Sequence, residues 1–275
     1  MMRGPGKNRT QRLTATVLLV GLLTSQGVLA QTSGKTDLDP LQRVYPRIYD
    51  TPSGAPPKWP APVGDTDIYH FLLIDRLEAG FGGGEDIIAW DGQGWSGGDW
   101  NKLWVKTEGE GVQGESPEDT EIQALYSRTI SPFWDFQAGA RYDIRPKPER
   151  AHAVIGVQGL APQWFEVDAA AFISNKGDAT FRVEVEYEWL LTQRLILQPR
   201  VEINAAAQSI PELGLGSGIN YSEMGLRLRY EFRREFAPYI GVSWKKTWGD
   251  TADLARAGGA ETSSLYFVTG LRLWY

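Results

Sequence analysis

The stretch WDFQAGARYDI, residues 134–144, places Trp134, Phe136, Ala138, Ala140, Tyr142 and Ile144 on one parity and Asp135, Gln137, Arg141 and Asp143 on the other. Successive side chains of a strand point to opposite faces, so this period of two predicts one apolar and one polar face. A soluble sandwich alternates as well, and one strand does not separate the two cases. Recurrence does. The pattern returns down the chain to its last residue, with Phe267, Thr269, Leu271, Leu273 and Tyr275 sharing a face. An apolar outward face, a polar inward face and aromatics at strand ends are what a transmembrane β-barrel requires. The expected fold class is all-β, an antiparallel transmembrane β-barrel of about 12 strands.

The amino-terminal region points the same way. Arg3, Lys7, Arg9 and Arg12 form a basic segment free of acids, and Leu13 to Leu23 is an apolar run too short to span a bilayer as a helix. Val28, Leu29 and Ala30 then supply a cleavage site, so residues 1–30 read as a secretory signal peptide. Taking its four cations from a net charge of −6 leaves −10, which argues against nucleic acid as a partner and permits cationic ones. Cysteine is absent, which excludes disulfides and thiolate metal sites. Residues 31–66 hold seven of the sixteen prolines, too many for a ladder or a helix, and read as an extended, poorly ordered periplasmic arm.

From Asp67 to Tyr275 twelve strands are expected, over 67–79, 85–95, 99–109, 119–130, 132–145, 150–161, 163–175, 178–190, 193–206, 220–234, 237–248 and 263–275. Every second connection is tight, at 96–98, 131, 162, 191–192 and 235–236, whereas 110–118, 207–219 and 249–262 are long and polar. Short periplasmic turns alternating with longer extracellular loops are the barrel pattern, and they place both barrel ends in the periplasm.

Parity turns a set of charges inward. Strand 178–190 contributes Arg182, Glu184, Glu186 and Glu188; its neighbours bring Glu166 and Asp168 on one side and Arg194, Gln198, Arg200, Glu202 and Asn204 on the other. Strand 220–234 adds Glu223, Arg227, Arg229, Glu231 and Arg233. Two readings stay open together: an ion-pair network that fills the lumen, and a path or site for cations. Trp90, Trp95, Trp100 and Trp104 fall around one periplasmic turn and read as part of the interfacial aromatic girdle.

Catalysis has little support. His70 and His152 are expected near opposite ends of the barrel, no serine carries a nucleophile signature, and the glycines of 80–84 read as turn chemistry. Met224, the only methionine past the signal peptide, faces lipid by parity, so a soft Cu(I) site lacks ligands. A weak divalent site is conceivable where His70 meets Glu78 or the acids Asp86, Asp91 and Asp99 of the first hairpins.

Long ordered motifs add a family resemblance. The runs WDGQGWSGGDWNKLWVKTEGE (90–110), LYSRTISPFWDFQAGARYDIRP (125–146), GLAPQWFEVDAAAFIS (159–174), LLTQRLILQPRVEINAAAQ (190–208), GLRLRYEFRREFAPYIGVSW (225–244) and GDTADLARAGG (249–259) closely resemble the copper resistance protein B family. The resemblance implies a non-enzymatic outer-membrane barrel of Gram-negative bacteria that serves copper resistance by binding copper ions or passing them across the membrane. It also implies a periplasmic multicopper oxidase as a companion; the alternative roles are a docking platform for that oxidase and, with less support, a barrel hydrolase. One departure stands out: many members carry a Met- and His-rich segment before the barrel, and residues 31–66 contain neither residue type.

Overall fold

The computed structural model describes residues 67–275; the expected signal peptide and arm lie outside the described residues. Thirteen strand segments run in sequence: β1 (Tyr69–Phe81), β2 (Ile87–Gly97), β3 (Asn101–Val112), β4 (Asp119–Ser131), β5 (Trp134–Arg145), β6 (Arg150–Ala161), β7 (Phe165–Ser174), β8 (Ala179–Glu186), β9 (Trp189–Leu190), β10 (Leu195–Ala206), β11 (Gly218–Tyr230), β12 (Phe236–Thr247) and β13 (Ser263–Trp274). All pairings are antiparallel between neighbours, and β1 pairs with β13 from Leu73↔Trp274 to Phe81↔Phe267, so the sheet closes on itself. Segments β8 and β9 lie along the same edge of β10 and form one stave. The barrel therefore has twelve staves, and closure leaves no edge to satisfy in a bilayer.

The break in the eighth stave has a local cause. Tyr187 donates its backbone N–H to the carbonyl of Pro199 on β10, but Pro199 has no N–H to return. The ladder lapses over Tyr187 and Glu188 and resumes where Trp189 faces Leu197. The expected single strand 178–190 is corrected accordingly, and strand 220–234 ends at Tyr230, leaving Glu231 and Arg233 in the turn. The long connection expected at 249–262 contains a helix, α1 (Gly249–Ala257), pinned where Asn220 of β11 donates to Thr251 Oγ1 at 2.9 Å.

Burial runs opposite to that of a soluble domain. Ile155, Phe181, Ile240 and Phe267 point outward and are exposed, whereas Arg150, Arg200, Glu202 and Arg229 point inward and are buried. Hydrocarbon around the outer face replaces a core, which leaves the polar face for the interior. Connections at one end are short, as at 98–100 and 132–133, while 207–217 and 248–262 stand at the other.

A β-bulge interrupts β1, where the register toward both β2 and β13 slips between Ile74 and Leu77. The extra residue turns Asp75 and Arg76 inward in succession: Asp75 pairs with Arg272 at 3.0 Å and Arg76 with Glu108 at 3.1 Å. Strict alternation would have sent one of these charges into lipid.

Candidate functional site

The inward charges assemble into a network that crosses the lumen. Arg182 on β8 reaches Glu108 of β3 at 2.7 Å and Glu121 of β4 at 2.9 Å. Glu108 also accepts from Arg76 of β1, and Arg76 lies 3.4 Å from Glu223 of β11. Glu121 is held as well by Arg141 of β5 at 2.8 Å. Arg227 grips Glu78 with two hydrogen bonds of 2.7 and 3.1 Å, the fork geometry that suits a carboxylate best. Toward the short-connection end, Glu188 accepts from Arg229 at 2.6 Å and from Arg272 at 2.7 Å, and Glu231 still lies 3.7 Å from Arg229.

Arg200 is the hub. It is 2% exposed and lies within 4 Å of four carboxylates: Glu184 at 2.5 Å, Glu202 at 2.7 Å, Glu186 at 3.2 Å and Glu223 at 3.7 Å. The ladder registers explain the need for it. Asp168 faces Glu184, Glu184 faces Glu202, and Glu202 faces Glu223 on consecutive staves. Like charges directly opposite destabilise a sheet; the guanidinium offsets that repulsion for Glu184, Glu202 and Glu223 together, while Lys106 holds Asp168 at 2.5 Å.

Next to this network lies a cavity of about 340 Å³. Eight carboxylates line it, Glu166, Asp168, Glu184 and Glu186 among them, against the three cations Lys106, Arg182 and Arg272. Leu125, Val154 and Phe172 supply an apolar wall, buried with Trp104 in one cluster inside the barrel. Trp95 packs against that cluster, with ring centroids 6.3 Å from Trp104, and Lys102 and Lys106 sit 5.6 Å over the two indoles. Trp95 and Trp104 therefore line the lumen and are not girdle residues; they share parity with Gln93 and Lys106, which line the cavity. Trp100, in the short turn, is exposed.

The expected metal ligands do not converge. His70 is exposed on the parity of Leu72, the outer face of β1, while Glu78 points inward and is held by Arg227. Asp91 points into the cavity with Arg76 Nε 3.9 Å away. Asp86 and Asp99 are exposed in connections at opposite ends of β2. Among the described residues no three His, Cys, Asp or Glu side chains gather in a way that holds a metal ion. His152 is buried in the lumen, its Nδ1 3.6 Å from Asp143, so the two histidines lie on opposite faces of the wall. Asp75, Arg76, Glu108 and Glu121, central to the network, were not among the expected residues; the alternation of Lys102, Lys106, Glu108 and Glu110 in β3 carried the signal for Glu108.

At the long-connection end a smaller cluster ties two loops to the wall. Arg150 of β6 pairs with Asp178 in the loop 175–178 and with Glu212 at 2.8 Å in the loop 207–217, and Lys176 reaches Glu212 at 2.5 Å. Hydrogen bonding and charge from Lys176, then charge from Arg150, hold the Glu212 carboxyl below its ordinary range. At Asp178 desolvation pushes upward, but hydrogen bonds from Ser174, Gln208 and Arg150 outweigh it and hold the carboxyl low. Carboxyls lowered in the folded state stabilise it fully above their unfolded value near 4, and the contribution fades as pH falls through the lowered values. The two loops are expected to keep their hydrogen-exchange protection at pH 7 and to lose it below about pH 3, ahead of the strands. Equal protection factors at both pH values would show that these pairs do not hold the loops.

Fold and site together define a closed outer-membrane-type β-barrel whose lumen is occupied by paired charge. The chain belongs to the copper resistance protein B family: the family model described as Copper resistance protein B precursor matches residues 68–275. It is 43% identical over 213 residues to the Copper resistance protein B of Escherichia coli, covering 78% of this chain and 72% of that one. It is 36% identical to the Copper resistance protein B homolog of Pseudomonas syringae pv. tomato, covering 98% of each. Among solved structures the NanC porin superposes with a TM-score of 0.51 at 10% identity, over 74% of this chain and 98% of the porin, a likeness of fold alone. Family and fold support a role in copper resistance at the outer membrane.

Proposed function

We propose that the protein serves copper resistance without catalysis, gathering copper ions in the acidic cavity of its lumen and holding them there or releasing them through the barrel. The observation that carries this reading is the lining of that cavity, eight carboxylates against three cations in about 340 Å³, an excess that persists when Arg76, Arg141 and Arg200, paired with Glu108, Glu121 and Glu184, are added. An excess of one sign in a concave site focuses the field and raises the local concentration of divalent cations. Because no three donors converge among the described residues, the attraction is diffuse, and weak multi-point attraction is what passage needs. Copper is cargo in this scheme. The Met- and His-free segment 31–66 offers no soft ligands, which leaves the barrel to do the gathering. The cavity includes Gly159, Leu160 and Glu166, which flank the turn at 162–164. With short turns in the periplasm it opens toward that compartment, the side on which a periplasmic multicopper oxidase would dock.

The test is Cu²⁺ entry into proteoliposomes loaded with a copper-quenched dye, alongside calorimetric titration with Cu²⁺. The protein should accelerate entry over protein-free liposomes or show saturable uptake of the ion. Glu184→Gln combined with Asp168→Asn should reduce that effect several-fold, while His70→Ala, on the outer face, leaves it intact. Neither acceleration nor saturable binding in the unaltered protein would overturn the reading.

A further inference from the structure

The cavity has a second property that a small metal ion does not exploit. Four of its eight acids stand in two groups on opposite sides of the ring: Asp75 and Asp91 on β1 and β2, Glu166 and Glu186 on β7 and β8. Six staves separate β1 from β7, and six separate β2 from β8, which is half of the twelve-stave circumference. Between the groups, on β4 and β6, stands an apolar wall of Leu125 and Val154, continued on β7 by Phe172, whose ring lies under the guanidinium of Arg141 at 4.6 Å. We propose that this cavity binds an organic dication, a short alkane diamine, with one ammonium against each acid group and the hydrocarbon chain along the apolar wall.

Three of these four acids are under-paired for a protein that otherwise matches its charges closely; the fourth, Asp75, is held by Arg272 at 3.0 Å. Glu166 and Glu186 face each other directly across β7 and β8, an arrangement that costs stability unless a cation intervenes. Among the described residues Glu166 makes no ion pair, and it is exposed toward the mouth. Glu186 is 8% exposed; its Oε2 accepts from Gln198 at 2.8 Å, but its Oε1 accepts no hydrogen bond, with Arg200 Nε 3.2 Å away outside bonding geometry. Across the lumen, Asp91 has only Arg76 at 3.9 Å, and that guanidinium donates to Glu108 and Glu223. A buried acceptor without a donor favours a ligand that brings N–H groups, and an ammonium brings three. The apolar wall adds what a hydrated metal ion cannot use: removing methylenes from water stabilises the complex in proportion to the area covered. A convex hydrocarbon chain between two charges matches the lining better than a point charge does.

Diamine binding at this cavity needs no copper. Detergent-purified protein is titrated calorimetrically with 1,4-diaminobutane, 1,6-diaminohexane and 1,8-diaminooctane, with hexylamine as the singly charged probe. One diamine of the series should bind saturably and at least about tenfold more tightly than hexylamine. Magnesium at matched ionic strength should compete poorly. Glu186→Gln and Asp91→Asn should each bring the diamine close to the hexylamine affinity, and Glu85→Gln, in the far loop, should not. Heat-modified migration in gels confirms folding of each variant, and either acid variant suffices if the other fails to fold. Equal affinity for hexylamine and the best diamine, displacement by magnesium as effective as by diamine, or undiminished binding in a folded acid variant would each overturn the proposal.

Discussion

Replacing Arg200 by methionine is expected to destabilise the barrel by about 3–5 kcal/mol, the usual penalty when one partner of a buried ion pair is removed and the other charge is stranded. The reason is specific to the site. Arg200 is 2% exposed and lies against Glu184, Glu186, Glu202 and Glu223, three of which stand in one cross-strand row with Asp168. Without the guanidinium those acids face one another at sheet spacing inside the lumen, with Arg76 and Arg227 left to answer Glu223 at 3.4 Å and Arg182 to answer Glu202 at 3.7 Å. The measurement is the urea midpoint of the protein folded into lipid vesicles, read by tryptophan fluorescence. Arg200→Lys should fall between the two, since an ammonium keeps the charge but cannot span several carboxylates with a planar fork. Added magnesium should restore part of the loss in Arg200→Met and do little to the unaltered protein, because the vacated place is one for a cation. An unchanged midpoint would show that the row of acids does not depend on Arg200.

The staves were legible because two independent regularities coincide in the chain. Alternation with period two marks each strand, and the alternation of short and long connections orders them, so expected and observed strands overlap throughout. What alternation does not reveal is a change of phase. In LLIDRLEAGF (72–81) a strict count from Leu73 puts Asp75 inside but Arg76 and Glu78 on a single opposite parity. The bulge between Ile74 and Leu77 reverses that parity and brings Arg76 and Glu78 into the lumen, where they meet Glu223 and Arg227. Trp95 and Trp104 mislead for another reason: indoles near a strand end suit a girdle, yet both sit in phase with the inward Lys102 and Lys106, and phase outranks residue type. The network itself lies beyond any single-strand reading. Parity says that Arg182, Glu108 and Glu121 point inward, but only closure of the ring and the stagger of its registers decide that they meet.

That meeting leads to the second expected result. Arg182→Ala should raise single-channel conductance several-fold in planar bilayers and shift selectivity further toward cations. Arg182 starts on β8 and ends at Glu108 and Glu121, five and four staves away, so its side chain bridges the lumen and does not lie along the wall. Truncation at Cβ removes that bridge and takes one positive charge from a cavity already rich in carboxylates. The barrel should tolerate the loss better than that of Arg200, because each stranded acid keeps another cation: Glu108 retains Arg76 at 3.1 Å and Glu121 retains Arg141 at 2.8 Å. Arg141 also stays stacked 4.6 Å over Phe172, which limits collapse of the apolar wall into the space released. Arg182→Gln separates charge from bulk: it keeps most of the volume and removes the cation, so selectivity should shift while conductance rises less. If conductance in Arg182→Ala stays at that of the unaltered protein, the narrowest point lies elsewhere on the lumen axis. The pair of Arg227 and Glu78, both at least nine-tenths buried and doubly hydrogen-bonded, would then be the barrier to remove next.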